Sequence, residues 1–193
     1  MALDPTDYAV ISQALAAAAR EMGEKLIRSA FSTILREARD GSAALLDRDG
    51  NTIAQAELIP MQLGTIGSVF QACAAAYDLD SLTDDDFFII NDPYSGGQHL
   101  QDIFFFNPIF HDGVRVGFAA SVAHHLDIGG GAPGLSPNAR DVHSEGIILP
   151  PMKSDPKEAR AHTQEIAEIL PRLLTTRGSL VLFASGRQMR EVH

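Results

Sequence analysis

The 193-residue chain is short of cysteine and of basic side chains, and each shortage excludes a class of protein. Its single cysteine, Cys73, cannot form an internal disulfide, and its place in an apolar helical pattern predicts packing in the core. The 15 Lys and Arg are outnumbered by 25 Asp and Glu, which gives a net charge of −10. Binding to a nucleic-acid backbone needs clustered cations, so no nucleic-acid partner is expected.

Long apolar runs are also missing. No stretch approaches the ~20 apolar residues that a membrane-spanning helix requires, so no membrane partner is expected. The first residues, Met-Ala-Leu-Asp-Pro, lack the basic and apolar regions of a secretory signal. These absences predict a cytoplasmic protein, and a hydrophobic content of 45% is enough for a globular core.

The periodicities predict an α+β fold. Asp4-Pro5 is a helix start, and apolar residues then recur at steps of three and four as far as Ala30. We expect this long N-terminal helix to pack through that stripe on the β-hairpins of a mixed sheet. Further predicted elements are a hairpin around Asp49-Gly50, a helix over 61–77, a strand over 87–90 and a hairpin over 103–122.

The chain divides near residue 151 in charge and pattern. Residues 1–149 carry a net charge of −12, whereas residues 150–193 carry +2. We therefore predict two regions, a main domain over 1–151 and an appendage over 152–193. The appendage has the pattern of a helix, an apolar strand and the start of another helix.

Histidines and carboxylates beside glycines are the most informative feature. His99 and Asp102 follow Gly96-Gly97, and His124, His125 and Asp127 precede Gly129-Gly130-Gly131. Imidazole nitrogen and carboxylate oxygen are ligands of divalent metals of intermediate hardness. The pattern thus favours a hydrolytic metal site, although such residues are also common as turn formers and hydrogen-bonded structural groups.

Strand geometry limits which of these side chains share an ion. Neighbouring strand residues point to opposite faces, so only one of His124 and His125 is expected to be a ligand, and Asp127 shares a face with His125. Asp40, at the end of the first helical region, is a further carboxylate that spacing alone does not connect to the cluster. The sequence has neither a phosphate-binding loop ending in Gly-Lys-Ser/Thr nor a Gly-x-Ser-x-Gly motif.

Ordered motifs over residues 3–152 resemble the N-terminal part of the hydantoinase B/oxoprolinase family. The matching elements are Glu21-Met-Gly, Arg36-Glu37 to Asp40, Ala54-Gln-Ala-Glu57, Ile59-Pro60, Leu63-Gly64, Asn91-Asp-Pro-Tyr-x-Gly-Gly-x-His99-x-x-Asp102, His124-His-x-Asp-x-Gly-Gly130 and Glu145-Gly-Ile-x-x-Pro-Pro151. So many matches in order are far more specific than one short motif.

The resemblance implies a metal-dependent hydrolase of cyclic amides such as hydantoin, 5-oxoproline or lactams. A partner, the A-type ATPase subunit, uses ATP to phosphorylate the carbonyl oxygen, so ATP is expected on the partner and not on this chain. The family's metal ligands correspond to Asp40, His99, Asp102 and His124, with Zn²⁺ or Mn²⁺ as the ion. By analogy, His125 and Asp127 are candidate catalytic acid/base groups.

The resemblance ends near Pro151, and family members of this type are much longer. Residues 152–193 are similar instead to a short piece of DinG-type superfamily-two DNA helicases, but the motor motifs and cluster cysteines are missing, which excludes helicase activity. A truncated fragment or non-catalytic assembly module of such an enzyme is therefore the alternative function.

Overall fold

The computed structural model describes residues 4–154, which form helices packed on both faces of one antiparallel sheet. The helices are α1 (Pro5–Ser29), α2 (Thr33–Ala38) and α3 (Pro60–Ala76), with 3-10 turns at Leu79–Ser81, Pro93–Ser95 and Val142–Ser144. The strands are β1 (Gly41–Leu46), β2 (Thr52–Gln55), β3 (Phe87–Ile90), β4 (Asp102–His111), β5 (Val114–His124) and β6 (Met152–Ser154).

The six strands lie in the order β2-β1-β5-β4-β3-β6, and every pairing is antiparallel. The predicted α+β class is confirmed, as are both hairpins, β1–β2 and β4–β5. The prediction of a mixed sheet is wrong, because all five strand pairings are antiparallel. Three of them, β1–β2, β3–β4 and β4–β5, join strands that are consecutive in the chain, and short connections between neighbouring strands require antiparallel pairing. Residues 152–154 continue this same sheet as edge strand β6.

Helix α1 begins where the sequence predicts, since the Asp4 carboxylate accepts a hydrogen bond from the Thr6 amide and Pro5 follows the cap. The predicted stripe is buried at Leu26 and Ala30 but not at Tyr8 or Ile11, which are 64% and 46% exposed. The core prediction is therefore wrong for the first half of α1. Helical periodicity identifies the apolar face, whereas the area of sheet available to cover it is a tertiary property.

Helix α3 covers the other face of the sheet and forms the main core. Ile66, Phe70 and Cys73 are buried along one side of α3, as predicted. The Phe70 ring contacts those of Phe106 on β4 and Phe118 on β5, with centroid distances of 5.3 and 4.5 Å. These aromatic contacts pack α3 against the middle of β4 and β5.

The predicted helix–strand–helix appendage lies outside the described residues beyond Ser154, so it stays a prediction. Among residues 4–154, no helix has both the length and the apolar character that crossing a membrane requires. The short α2 and β6 were not predicted, because elements of a few residues give too little periodicity to detect.

Candidate metal centre

The ends of three neighbouring strands bring Asp40, His124 and Asp102 into one row. Asp102 is the first residue of β4 and pairs with His124, the last residue of β5. The His124 amide donates to the Asp40 carbonyl oxygen at 3.0 Å, so Asp40 continues the β1–β5 pairing by one residue. Cross-strand neighbours point to the same face, and here that face is the one covered by α3.

The side chains of this row converge with that of His99. The His124 Nδ1 atom lies 3.5 Å from Asp102 Oδ1 and 3.7 Å from Asp40 Oδ2. The His99 Nδ1 atom lies 3.5 Å from Asp102 Oδ2. The two imidazole rings are nearly perpendicular, with centroids 4.9 Å apart. One ligand atom from each of His99, Asp102 and His124 lies within 4.8 Å of the others, and Asp40 adjoins this group.

Two observations test whether these residues fit a divalent ion. The nitrogen–oxygen separations of 3.5–3.7 Å are too long for good hydrogen bonds. Two ligands on one ion at tetrahedral angles, with bonds of about 2.1 Å, would instead lie about 3.4 Å apart. In addition, His99 Nδ1 is buried and makes no hydrogen bond to residues 4–154. Spacing and donor chemistry therefore fit a shared cation.

The centre is largely shielded from water. Asp102 is 1% exposed and His124 is 4% exposed, whereas His99 and Asp40 are half-buried at its open side. Buried carboxylates are costly unless they are paired or coordinate a metal. A divalent cation bound in this cluster would offset that cost.

His125 and Asp127, the candidate acid/base groups, follow the row directly. The His125 amide donates to the Gln101 carbonyl oxygen at 2.8 Å. Burial lowers the pKa of the His125 imidazole to about 4, helped by the charge of His124 and opposed by that of Asp102. Asp127 Oδ1 accepts a hydrogen bond from the Gly129 amide at 3.0 Å. The converging group contains His124 and not His125.

Sequence reasoning missed Gln62, which lies in the first turn of α3. Its Nε2 atom donates to Asp40 Oδ1 at 2.9 Å and to Asp102 Oδ1 at 3.1 Å. Gln62 is 2% exposed. A signal existed, because Gln62 precedes Ile66 by one helical turn and is therefore a polar residue on the buried face of α3.

Asn91, from the Asn-Asp-Pro motif, supports the centre from outside. Its buried amide nitrogen donates to the Leu100 and Ile147 carbonyl oxygens at 2.7 and 2.9 Å, and its Oδ1 accepts from the Leu149 amide. These bonds tie the end of β3 to the turn that carries His99. The motif thus contributes backbone positioning here and not a ligand.

A cleft of about 620 Å³ borders the same turn of α3 that carries Gln62. Its lining combines apolar side chains with one carboxylate and one amide: Gln55, Glu57, Leu58, Pro60, Leu63 and Gly64. Apolar walls with a few polar groups are typical of small-molecule sites.

Comparison with known proteins shows the family of this chain and supports its fold. The family model described as Hydantoinase B/oxoprolinase matches residues 4–176. The chain belongs to the hydantoinase B/oxoprolinase family. The family match extends past Pro151, where the sequence resemblance was expected to end, and the helicase resemblance of residues 152–193 stays an untested prediction.

Several members of the hydantoinase B/oxoprolinase family are similar over most of this chain. An uncharacterized protein of Methanocaldococcus jannaschii, MJ0963, is 38% identical over 78% of this chain and 27% of its own length. The 5-oxoprolinase of Dictyostelium discoideum is 34% identical over 78% of this chain and 12% of its own. The caprolactamase subunit beta of Pseudomonas jessenii is 34% identical over 78% of this chain and 26% of its own length. The chain thus spans about a quarter or less of these relatives.

Solved structures share the fold. The ATP-dependent caprolactamase of Pseudomonas jessenii superposes with a TM-score of 0.71 at 33% identity, covering 79% of this chain and 26% of that one. An acetone carboxylase superposes with a TM-score of 0.74 at 22% identity, covering 84% of this chain and 22% of that one. At this identity the likeness shows the fold alone.

Proposed function

We propose that this chain supplies the metal centre of a B-type subunit that hydrolyses small cyclic amides in the cytoplasm. The observation that carries the proposal is the convergence of Asp40, His99, Asp102 and His124 where β1 and β4 begin and β5 ends. This cluster lies within a fold shared with an ATP-dependent caprolactamase. The substrate class is the hydantoin, 5-oxoproline or lactam type, in keeping with the names of the relatives.

Two imidazoles and two carboxylates would hold the ion, and this donor set suits Zn²⁺ or Mn²⁺. With a divalent metal held by these four residues, the centre would supply a water nucleophile near neutral pH. Asp102 and His124, being buried, fix the inner side of the centre. His99 and Asp40 leave it open toward solvent and substrate. By analogy, His125 and Asp127 are the acid/base groups that would move protons during hydrolysis.

An unactivated amide is a poor electrophile, so we propose a partner that activates it. An A-type ATPase subunit would transfer the terminal phosphoryl group of ATP to the carbonyl oxygen and release ADP. Water would then attack the carbon at the centre on this chain, and the C–N bond would break as the nitrogen takes up a proton. A second water would release phosphate from the resulting acyl phosphate. Two relatives support this division of labour. One relative is a caprolactamase subunit beta, and its solved counterpart is an ATP-dependent caprolactamase.

Metal analysis of the purified 193-residue chain tests the proposal. We expect one Zn²⁺ or Mn²⁺ per chain and a higher melting temperature when metal is restored to chelator-treated protein. Co-expression with an A-type ATPase subunit should then yield ATP-dependent opening of 5-oxoproline, hydantoin or caprolactam. The proposal fails if no ion binds and added metal leaves the melting temperature unchanged.

A non-catalytic assembly module that keeps the shared fold is the second candidate. Under this alternative the chain still co-purifies with an A-type subunit but supports no turnover of any of the three amides. Turnover by the co-purified complex separates the candidates, and a His125→Gln variant that loses turnover but still co-purifies would then assign His125 to catalysis.

A further inference from the structure

We propose that Gln62 is a positioning residue that sets the metal affinity of this centre by bridging its two carboxylates. This inference rests on the proposed function. One amide nitrogen donates to Asp40 Oδ1 at 2.9 Å and to Asp102 Oδ1 at 3.1 Å. Asp40 precedes β1 and Asp102 opens β4, so Gln62 joins carboxylates that β5 separates in the sheet.

The bridge orients both carboxylates toward the imidazoles. Gln62 donates to Oδ1 of both aspartates, while Asp40 Oδ2 faces His124, Asp102 Oδ2 faces His99, and Asp102 Oδ1 also lies 3.5 Å from His124 Nδ1. An amide NH₂ group has two hydrogens and can serve two acceptors at once. The carboxylates are therefore held in orientation before any ion arrives, and a preorganised site binds more tightly than one that must be ordered.

Amide chemistry is suited to this position. A glutamate would add a third negative charge beside two carboxylates, and a lysine would compete with the metal by neutralising them. Glutamine supplies donors without charge. Its Oε1 atom is buried and unbonded within residues 4–154, a cost of the kind that is retained at functional sites.

The fold holds Gln62 rigidly over the strand ends. Ser42 on β1 exchanges hydrogen bonds with both the amide and the carbonyl of Ile59, the residue that precedes α3. One helical turn beyond Gln62, Ile66 is buried in the main core. The glutamine side chain thus starts from a fixed backbone, as a bridging group requires.

A Gln62→Met variant tests this role, because methionine matches the length of glutamine and donates no hydrogen bond. Affinity for Zn²⁺ and Mn²⁺ is measured on the full 193-residue chain by chelator competition, and the visible spectrum of bound Co²⁺ reports its coordination. We expect affinity to fall about 10–100-fold, as is typical when a group that supports metal ligands is lost, and the Co²⁺ spectrum to change.

Gln71→Met is the matched control. Gln71 lies on the same helix, is exposed and bonds a single carbonyl oxygen, that of Asp49. Its variant should bind metal like the unchanged protein. A purely structural role for Gln62 would lower the metal-free melting temperature while leaving affinity and spectrum unchanged, and that result overturns the inference.

A second variant covers the case in which Gln62→Met does not fold. Gln62→Asn keeps the amide but is one methylene shorter, so it cannot reach both carboxylates, and we expect a smaller but measurable loss of affinity. Unchanged affinity in Gln62→Asn would contradict the bridge. If the unchanged protein binds no ion at all, the proposed function and this inference both fail, whereas normal binding by both Gln62 variants overturns the inference alone.

Discussion

The Asp102 carboxylate lies 3.5 Å from the Nδ1 atom of His124, its cross-strand partner at the open end of the β4–β5 hairpin. One ladder position therefore supplies two of the proposed ligands. Because the pairing of the hairpin determines this contact, the sheet positions Asp102 and His124, whereas His99 lies in the turn before β4.

Replacing Asp102 should separate metal binding from folding. Asp102→Asn removes a charged ligand, and we expect Zn²⁺ affinity to fall by more than ~100-fold, since loss of a group that only supports a ligand already costs 10–100-fold. The metal-free protein should unfold at the same or a higher temperature, because Asp102 shares a bridging nitrogen with another carboxylate, Asp40. Chelator competition and thermal denaturation measure the two effects.

Asp112→Asn is the control for that variant. Asp112 lies in the exposed turn of the same hairpin at a φ of 48°, a conformation that asparagine tolerates. Metal affinity should be unchanged. A similar loss of affinity in both variants would mean that Asp102 acts through general electrostatics and not as a ligand.

Ser42 should contribute to stability by joining β1 to the start of α3. Its buried hydroxyl donates to the Ile59 carbonyl at 3.2 Å and accepts from the Ile59 amide at 3.3 Å. Ser42→Ala leaves two backbone groups without this partner, and we expect a loss of about 1–3 kcal/mol in unfolding free energy by chemical denaturation. Ser68→Ala, at an exposed site on α3, should change it by less than ~0.5 kcal/mol.

Replacing two glycines by alanine should change the free energy of unfolding in opposite directions. A Cβ at Gly117 on β5 would lie 2.3 Å from the Leu46 carbonyl oxygen, so Gly117→Ala should destabilise the fold by about 1–3 kcal/mol. A Cβ at Gly64 meets nothing within 4 Å inside α3, so Gly64→Ala should stabilise it by about 0.5–1 kcal/mol. Equal effects in chemical denaturation would contradict the packing at Gly117.

Cys73 should be unreactive while the protein is folded. It lies on α3 and is fully buried in the main core. Burial raises the pKa of its thiol to about 12, so the reactive thiolate is scarce at pH 8. We expect no reaction with Ellman's reagent in buffer and one thiol per chain in guanidinium chloride. Rapid labelling of the native protein would show that α3 opens readily.

Much of the fold follows from local signals in the sequence. The Asp4-Pro5 cap, the apolar side of α3 and the glycine turns of both hairpins predict elements that the structure confirms. The burial of α1 was predicted too broadly, because periodicity does not reveal where the covering sheet ends. The contact between Asp40 and His124 could not be derived from spacing, since it requires the register of β1 against β5.

Gln62 shows the other limit of the sequence. A lone glutamine on an apolar helical face is weak information, and only the tertiary structure places both aspartates beside it. The family resemblance identified the four candidate ligands, but the hydrogen bonds that orient them are visible only in three dimensions. Groups that support ligands carry no motif of their own, because many side chains can donate a hydrogen bond.

The bulge between Ile109 and Phe110 has a consequence for how this centre tolerates changes in chain length. Near the turn, His111 pairs with Val114, whereas beyond the bulge the ladder shifts by one residue and so sets Asp102 opposite His124. A residue inserted within either strand would reverse the face of every side chain past it. A residue inserted at the turn, Asp112-Gly113, would only enlarge the loop. A scan of single insertions should therefore retain metal binding at the turn and lose it along the strands.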